Sequence, residues 1–131
     1  MFGYNNREIV VSHIDWDPGA DDYIPLFRAP VDCEVLGAWA INTNAVAADG
    51  SNHFQVSLCN GGTAGSSTTV ISGTVGGTAG WTALKAEDLT PVDGTLTAGQ
   101  IVTMHYDENG TGTFGAICVQ LEVLYGVGED A

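Results

Sequence analysis

The chain has 131 residues and carries 16 acidic side chains against three Lys and Arg, which gives a formal net charge of −13. Such a surface repels phosphate backbones and anionic lipid head groups, so neither nucleic acid nor a membrane is expected as a direct partner. The length suits a single domain, and 44% hydrophobic with only 15% charged residues favours a globular, β-rich fold over disorder.

Short bursts in which apolar and polar residues alternate, separated by Gly, Asn and Asp, predict about eight β-strands and almost no helix. This pattern predicts an all-β fold, with a sandwich, a barrel and a jelly roll as the possible architectures. In chain order the predicted strands are Glu8–Ile14, Tyr23–Ala29, Cys33–Asn42, His53–Asn60, Ser67–Ser72, Gly80–Lys85, Gln100–Tyr106 and Phe114–Tyr125.

The same pattern divides the chain into three segments. Residues 1–16 are predicted to be a loosely attached amino-terminal arm, residues 17–126 a single jelly-roll domain, and residues 127–131 a short acidic tail. Pro25 and Pro30 flank the second strand, and proline removes a backbone donor from a sheet. This strand is therefore predicted to lie at an edge or to carry a bulge. One helical turn could form at residues 85–89 before Pro91 ends it.

The cysteines Cys33, Cys59 and Cys118 form an odd set without metal-binding spacing. Each lies in an apolar run, which predicts small buried side chains in a protein assembled in a reducing cytosol. The start of the chain lacks the basic and apolar segments of a signal peptide. Assembly in a cytoplasm is therefore expected.

The clusters of polar residues lack the spacing that a metal-binding or catalytic site needs. Four carboxylates within Asp15–Asp22 could bind Ca²⁺, but the acid and the glycine that an EF-hand loop needs are misplaced, and a solvated acidic turn is the preferred interpretation. His13, His53 and His105 lie in three separate predicted strands without ligand spacing. We expect no metal, no cofactor and no enzymatic activity, and we interpret the strand end around His105 as framework.

Sugar binding is the stronger alternative to a structural role. Exposed tryptophans near Asn and Asp are what a lectin-like β-sandwich uses, so Trp16 and Trp81 are possible ligand-facing residues. The competing interpretation is that Trp16 packs the arm and that Trp81 only begins a strand. Trp39, inside an apolar stretch, is expected to lie in the core.

Five short motifs follow one another in a distinctive order between Tyr23 and Tyr125, about four-fifths of the chain. In this order the chain resembles the small jelly-roll decoration proteins, also called cement or head-fibre proteins, of tailed bacteriophage heads. The motifs are F-R-A-P at Phe27–Pro30, V-x-x-A at Val35–Ala38, L-x-N-x-G-T-x-G at Leu58–Gly65, L-x-A-G-Q-I-V at Leu96–Val102 and N-G-T-G at Asn109–Gly112.

The resemblance implies the fold class, an antiparallel β-sandwich of jelly-roll type. It also implies a non-catalytic virion protein on the capsid exterior, commonly a homotrimer, that binds and stabilises the shell of the major capsid protein. The apolar arm residues Phe2, Tyr4, Ile9 and Val11 are then the candidate capsid contacts, and a truncation of residues 1–12 is expected to fold but not to decorate. Apolar residues of one sheet are expected to pack the core or a three-fold interface: Ile101, Val119 and Leu121. The alternative is a glycan- or receptor-binding sandwich of a phage tail fibre.

Overall fold

The structure, a computed structural model, describes residues 6–112 and 114–126. Within this part the chain forms ten strands and one three-residue 3-10 turn, Gly77–Ala79. The predicted all-β class is confirmed. The strands are β1 (Asn6–Ile14), β2 (Asp21–Arg28), β3 (Cys33–Asn42), β4 (His53–Asn60), β5 (Thr69–Val70), β6 (Val75–Gly76), β7 (Ala86–Asp88), β8 (Thr95–Leu96), β9 (Ile101–Asn109) and β10 (Ile117–Tyr125).

Two antiparallel sheets pack face to face. Sheet 1 has the order β1-β10-β3-β7, with β8 also paired to β3, and sheet 2 has the order β2-β9-β4-β5, with β6 also paired to β4. The first four strands alternate between the sheets, β9 then returns to sheet 2 between β2 and β4, and β10 lies in sheet 1 between β1 and β3, which is a jelly-roll connectivity. The predicted count of about eight becomes ten because short strands share an edge: β7 and β8 both pair with β3, and β5 and β6 both pair with β4.

The core lies between the sheets and is built from alternate residues of the four central strands, which are each 2% exposed or less. Val119 and Leu121 belong to it, as expected, whereas Ile101 is half-buried. Removal of these side chains from water is the main stabilising contribution to the fold. The inward rows are Val35, Ala38 and Ala40 of β3, Val119, Leu121 and Val123 of β10, Phe54, Val56 and Leu58 of β4, and Val102, Met104 and Tyr106 of β9.

The predicted amino-terminal arm is wrong for residues 6–14. These residues form β1, which pairs with β10 through nine successive partners from Asn6 opposite Tyr125 to Ile14 opposite Ile117. The reason is that alternate residues of β1 face the core, and Ile14 is 1% exposed. A truncation through Ser12 would therefore remove most of an edge strand. Phe2 and Tyr4, like the predicted tail 127–131, lie outside the described residues.

The prediction for the second strand is confirmed in both respects. β2 is the edge strand of sheet 2, and its register with β9 shifts between Pro25 and Phe27. The Ser12 hydroxyl of β1 donates to the Leu26 carbonyl at 3.3 Å, so the edges β1 and β2 lie next to each other across the sandwich.

The segment from Gly80 to Leu89 differs from the prediction. No strand forms at residues 80–85, where Trp81 makes only an isolated bridge to Val46, and no helical turn forms at residues 85–89. Residues 86–88 instead pair with β3 as β7. Leu84 and Thr90 on either side have φ of 61° and 50°, a left-handed conformation that interrupts both helix and strand.

Two tyrosine hydroxyls donate hydrogen bonds to carboxylates near the ends of strands. The Tyr125 hydroxyl donates to Glu8 at 2.6 Å and joins β10 to β1, while the Tyr106 hydroxyl donates to Glu108 at 2.8 Å. Burial, followed by the hydrogen bond and charge of Glu8, raises the pKa of Tyr125 to about 12. Burial and Glu108 raise the pKa of Tyr106 in the same direction.

These shifts make the fold sensitive to alkali. An unfolded tyrosine loses its proton near pH 10, whereas folded Tyr125 keeps it to about pH 12. The stabilising contribution is thus complete below pH 10 and is lost as the pH rises toward 12. We expect the urea midpoint to fall across this range and to fall less steeply in Tyr125→Phe. Equal slopes for the two proteins would contradict this assignment.

Candidate functional site

The outer face of sheet 1, defined here by Ile9 and Val11 of β1, Gln120 of β10, and Trp39 and Ile41 of β3, carries large apolar side chains on two of its strands. These residues alternate with the buried ones, so they point away from the core. Ile9 and Val11 are 53% and 48% exposed, and the other three are half-buried. The two capsid contacts predicted within the described chain therefore lie on one face.

Strand register makes this face continuous. Val11 lies opposite Gln120, Gln120 opposite Trp39, and Trp39 opposite Asp88, so one row crosses all four strands. Side chains directly opposite each other in antiparallel strands have Cβ atoms about 5 Å apart. The outer face of sheet 1 is thus one contiguous surface. The neighbouring row crosses the same strands as His13, Cys118, Ile41 and Ala86.

The expectation that Trp39 lies in the core is wrong. The small residues Ala38 and Ala40 occupy the interior side of β3 and are 0% exposed, which places Trp39 on the opposite side. Its ring lies along the strand over Gly37, where a Cβ atom would come within 2.6 Å of the ring carbon Cη2. Because Gly37 has no side chain, the indole ring of Trp39 can lie against the backbone of β3.

Charge on this face is limited. The Arg7 guanidinium lies 3.3 Å from the Glu122 carboxylate, and both side chains are partly exposed. An ion pair of this kind contributes less than about 1 kcal/mol. The exposed Asp88 adds one carboxylate at the end of the row. A surface with large apolar side chains and only a few charged groups is suited to docking against another protein, because the apolar area leaves water on contact.

The outer face of sheet 2 carries a different cluster. His105 Nε2 and Asp21 Oδ1 are 2.6 Å apart, and the His105 ring stacks on Tyr23 at 4.2 Å between centroids and 3° between planes. Ser57 lies opposite His105 in the register of β4 and β9. Since Asp21 and Tyr23 belong to β2, these contacts hold the edge strand onto β9, consistent with the framework interpretation.

The two tryptophans predicted to face a ligand have different environments. Trp16 follows β1 and is 52% exposed. Trp81 is 4% exposed: its ring stacks on Phe54 at 5.1 Å, and its Nε1 donates to the Phe54 carbonyl at 3.2 Å. The prediction for Trp81 is therefore wrong, because a ring held between Phe54 and Gly76 has no free face for a sugar.

Trp81 does contribute to the wall of a cleft of about 440 Å³ between β6, the 3-10 turn and β7. Lys85 and Glu87 also line it, with Lys85 Nζ 3.8 Å from Glu87 Oε2. The Lys85 side chain is 60% exposed, so this ion pair is weak. The cleft offers polar contacts without an aromatic platform.

The candidate metal ligands remain dispersed. Among residues 6–112 and 114–126, no three His, Cys, Asp or Glu side chains are grouped so that they could hold an ion. In the acidic turn, carboxylates accept from the backbone: Asp17 from Gly19 N at 2.9 Å and Asp22 from Tyr23 N at 2.9 Å. His53 Nδ1 lies 2.9 Å from the Asp49 carbonyl, far from any other histidine in the register.

The three cysteines differ in burial. Cys33 and Cys59 are buried, as predicted, and burial raises the pKa of both thiols. Cys118 is only half-buried, on the outer face of sheet 1.

Across the described ranges, no helix has the length and hydrophobicity needed to span a bilayer.

Sequence reasoning missed Trp39 and Ile41 as surface residues. β3 is apolar on both sides, so alternation does not distinguish its two faces. The signal that was present is side-chain size, since the alanines alternate with the bulky residues. When only small residues face the core from a central strand, the bulky residues between them face outward.

Comparisons of the chain with protein-family models, with curated proteins and with solved structures found no match. The fold, the charge and the outer face of sheet 1 are therefore the features from which a function can be inferred.

Proposed function

We propose that this protein is a virion structural protein, a decoration or cement protein that binds the outer surface of a bacteriophage capsid and stabilises it. The single observation that carries the proposal is the outer face of sheet 1, where Val11, Gln120 and Trp39 form a row across adjacent strands. A flat face of this kind fits a broad, gently curved protein surface better than it fits a small molecule.

The charge of the chain supports the same role. A formal charge of −13 opposes contact with packaged nucleic acid and keeps neighbouring copies apart on a crowded shell. The major capsid protein is the proposed partner. Weak contacts suffice when many identical copies bind one particle, because the particle is stabilised by their sum.

The motifs that resemble decoration proteins have a structural role in this fold. The F-R-A-P motif ends β2, where the Ala29 amide donates to the Gln100 carbonyl at 2.8 Å. The L-x-N-x-G-T-x-G motif ends β4, where the Asn60 side chain accepts from Gly62 N at 2.9 Å. Both motifs therefore serve strand ends that shape the sandwich, and the outer face of sheet 1 is the part proposed to touch the shell.

The test is binding of the purified full chain to undecorated capsids of the parent phage. We expect Trp39→Ala to weaken binding by about 30-fold, because truncating a tryptophan at the centre of an interface typically costs about 2 kcal/mol or more. The measurement is co-sedimentation at a series of protein concentrations, with circular dichroism to verify the fold.

The matched control is Val92→Ala. Val92 is 70% exposed and follows β7, away from the outer face of sheet 1. It should bind like the unaltered protein. Absence of binding by the unaltered chain, or equal affinity for Trp39→Ala and Val92→Ala, would refute the proposal.

A further inference from the structure

Among residues 6–112 and 114–126, no strand pairs with β1 on the side away from β10. β1 is nine residues long, contains no proline, and pairs with β10 without a register shift. The other edges in the described part of the chain are shorter or interrupted: β2 has Pro25 and a register shift, and β5 and β7 have two and three residues. A long apolar edge without such protection is a template for another strand.

The sequence of β1 nearly mirrors itself in polarity about Val10. Ile9 and Val11 on either side are apolar, Glu8 and Ser12 are polar, and the next pair outward is Arg7 and His13. A two-fold interface requires a surface that is complementary to itself. A strand with this symmetry meets that requirement when it is paired antiparallel with an identical strand.

We infer that the occupant of the β1 edge is a second copy of this chain, paired antiparallel so that Val10 lies opposite Val10. This register uses all nine residues of β1. It places Ile9 of each copy opposite Val11 of the other, and Glu8 opposite Ser12. The two four-stranded paths then form one continuous sheet, and the outer faces of sheet 1 in the two copies become neighbours.

Charge favours this edge over other contacts between copies. Two molecules that each carry −13 repel one another. β1 carries one acid, Glu8, and one fixed base, Arg7, and the outward residues Ile9 and Val11 are neutral. The proposed register puts no acid opposite an acid. Because salt screens the remaining repulsion, the dimer should strengthen as ionic strength rises.

This inference is independent of the proposed capsid role and makes a different prediction from the expected homotrimer, since β1 edges related by a two-fold axis give pairs. The measurement is the molar mass of the full chain by light scattering and sedimentation equilibrium, at high micromolar concentration and at low and high salt. A dimer that is favoured by salt supports the inference. A monomer or a trimer under all these conditions overturns it.

Two double variants test the edge itself. Ile9→Lys with Val11→Lys adds four ammonium groups facing one another across the two-fold axis and should abolish the dimer. Val70→Lys with Val92→Lys makes the same charge change at residues that are 53% and 70% exposed and distant from β1, and should leave the dimer intact. A dimer in the first variant, or a monomer in the second, would place the interface elsewhere.

Hydrogen exchange provides a readout if the β1 variant does not fold. In the unaltered monomer, the β1 amides that point away from β10 have no backbone partner within the described part of the chain, whereas the inferred dimer would bond them. Their protection should rise with protein concentration, while that of the central strands stays constant. Protection of β1 that does not depend on concentration would overturn the inference. Loss of shell binding in Trp39→Ala with the dimer retained separates this interface from the proposed function.

Discussion

Replacing Gly80 with alanine is expected to lower the free energy of unfolding by about 3 kcal/mol or more. Gly80 has φ of 79°, and an added Cβ atom would overlap the Val46 carbonyl oxygen and lie 2.9 Å from the carbonyl carbon of Ala47. These neighbours are backbone atoms, held by reciprocal hydrogen bonds between Val46 and Trp81 of 2.9 and 2.8 Å. They have little freedom to move aside.

The control for this change is Gly50→Ala. No atom lies within 4 Å of a Cβ placed on Gly50, and its φ is not in the left-handed range. Its free energy of unfolding, measured by urea titration, should remain within about 0.5 kcal/mol of that of the unaltered protein. If the two alanine variants unfolded at the same urea concentration, the bridge between residues 46 and 81 would not be the rigid contact described above.

Phe54→Ala is expected to cost about 4 kcal/mol, the loss typical of a fully buried phenylalanine. Phe54 is 0% exposed and stacks on Trp81 and Tyr106, with centroids 5.1 and 5.2 Å away, and Phe114 lies at 5.9 Å. Removal of its ring leaves a cavity among three aromatic rings that are fixed by their own contacts. The surroundings can therefore collapse only in part.

Phe54→Leu separates the cavity from other causes, since it keeps much of the apolar volume and should cost less than half as much as alanine. Thermal unfolding measures both variants, and the fluorescence of Trp81 should shift in the alanine variant as the indole loses its neighbour. Equal losses for leucine and alanine would show that the stacked geometry, rather than the filled volume, stabilises this end of the sandwich.

The long central strands could be predicted from the sequence for a simple reason. β4, β9 and β10 place apolar residues at alternate positions facing the core, with mostly polar residues between them, and a glycine follows each strand. Pro25 located an edge strand for an equally local reason. The short strands β5 to β8 have only two or three residues, which are too few to show an alternation of apolar and polar side chains.

Other features depended on partners distant in the chain. Ile9, Val10 and Val11 form a continuous apolar run, which alternation cannot orient, and only pairing with β10 shows that the predicted strand belongs to sheet 1 rather than to a loosely attached arm. Trp81 is buried because Phe54, 27 residues earlier, lies beneath it. The site was half predicted: Ile9 and Val11 lie on the outer face of sheet 1, but Trp39 at its centre was assigned to the core.

The left-handed residues that bracket β7 keep this edge of sheet 1 short. Leu84 and Thr90 turn the chain away from β3 after three paired residues. If β1 pairs as inferred, the described part of sheet 1 offers no second edge of similar length, because β7 ends after three residues. Pairing would then stop at two molecules and would not continue into a fibril.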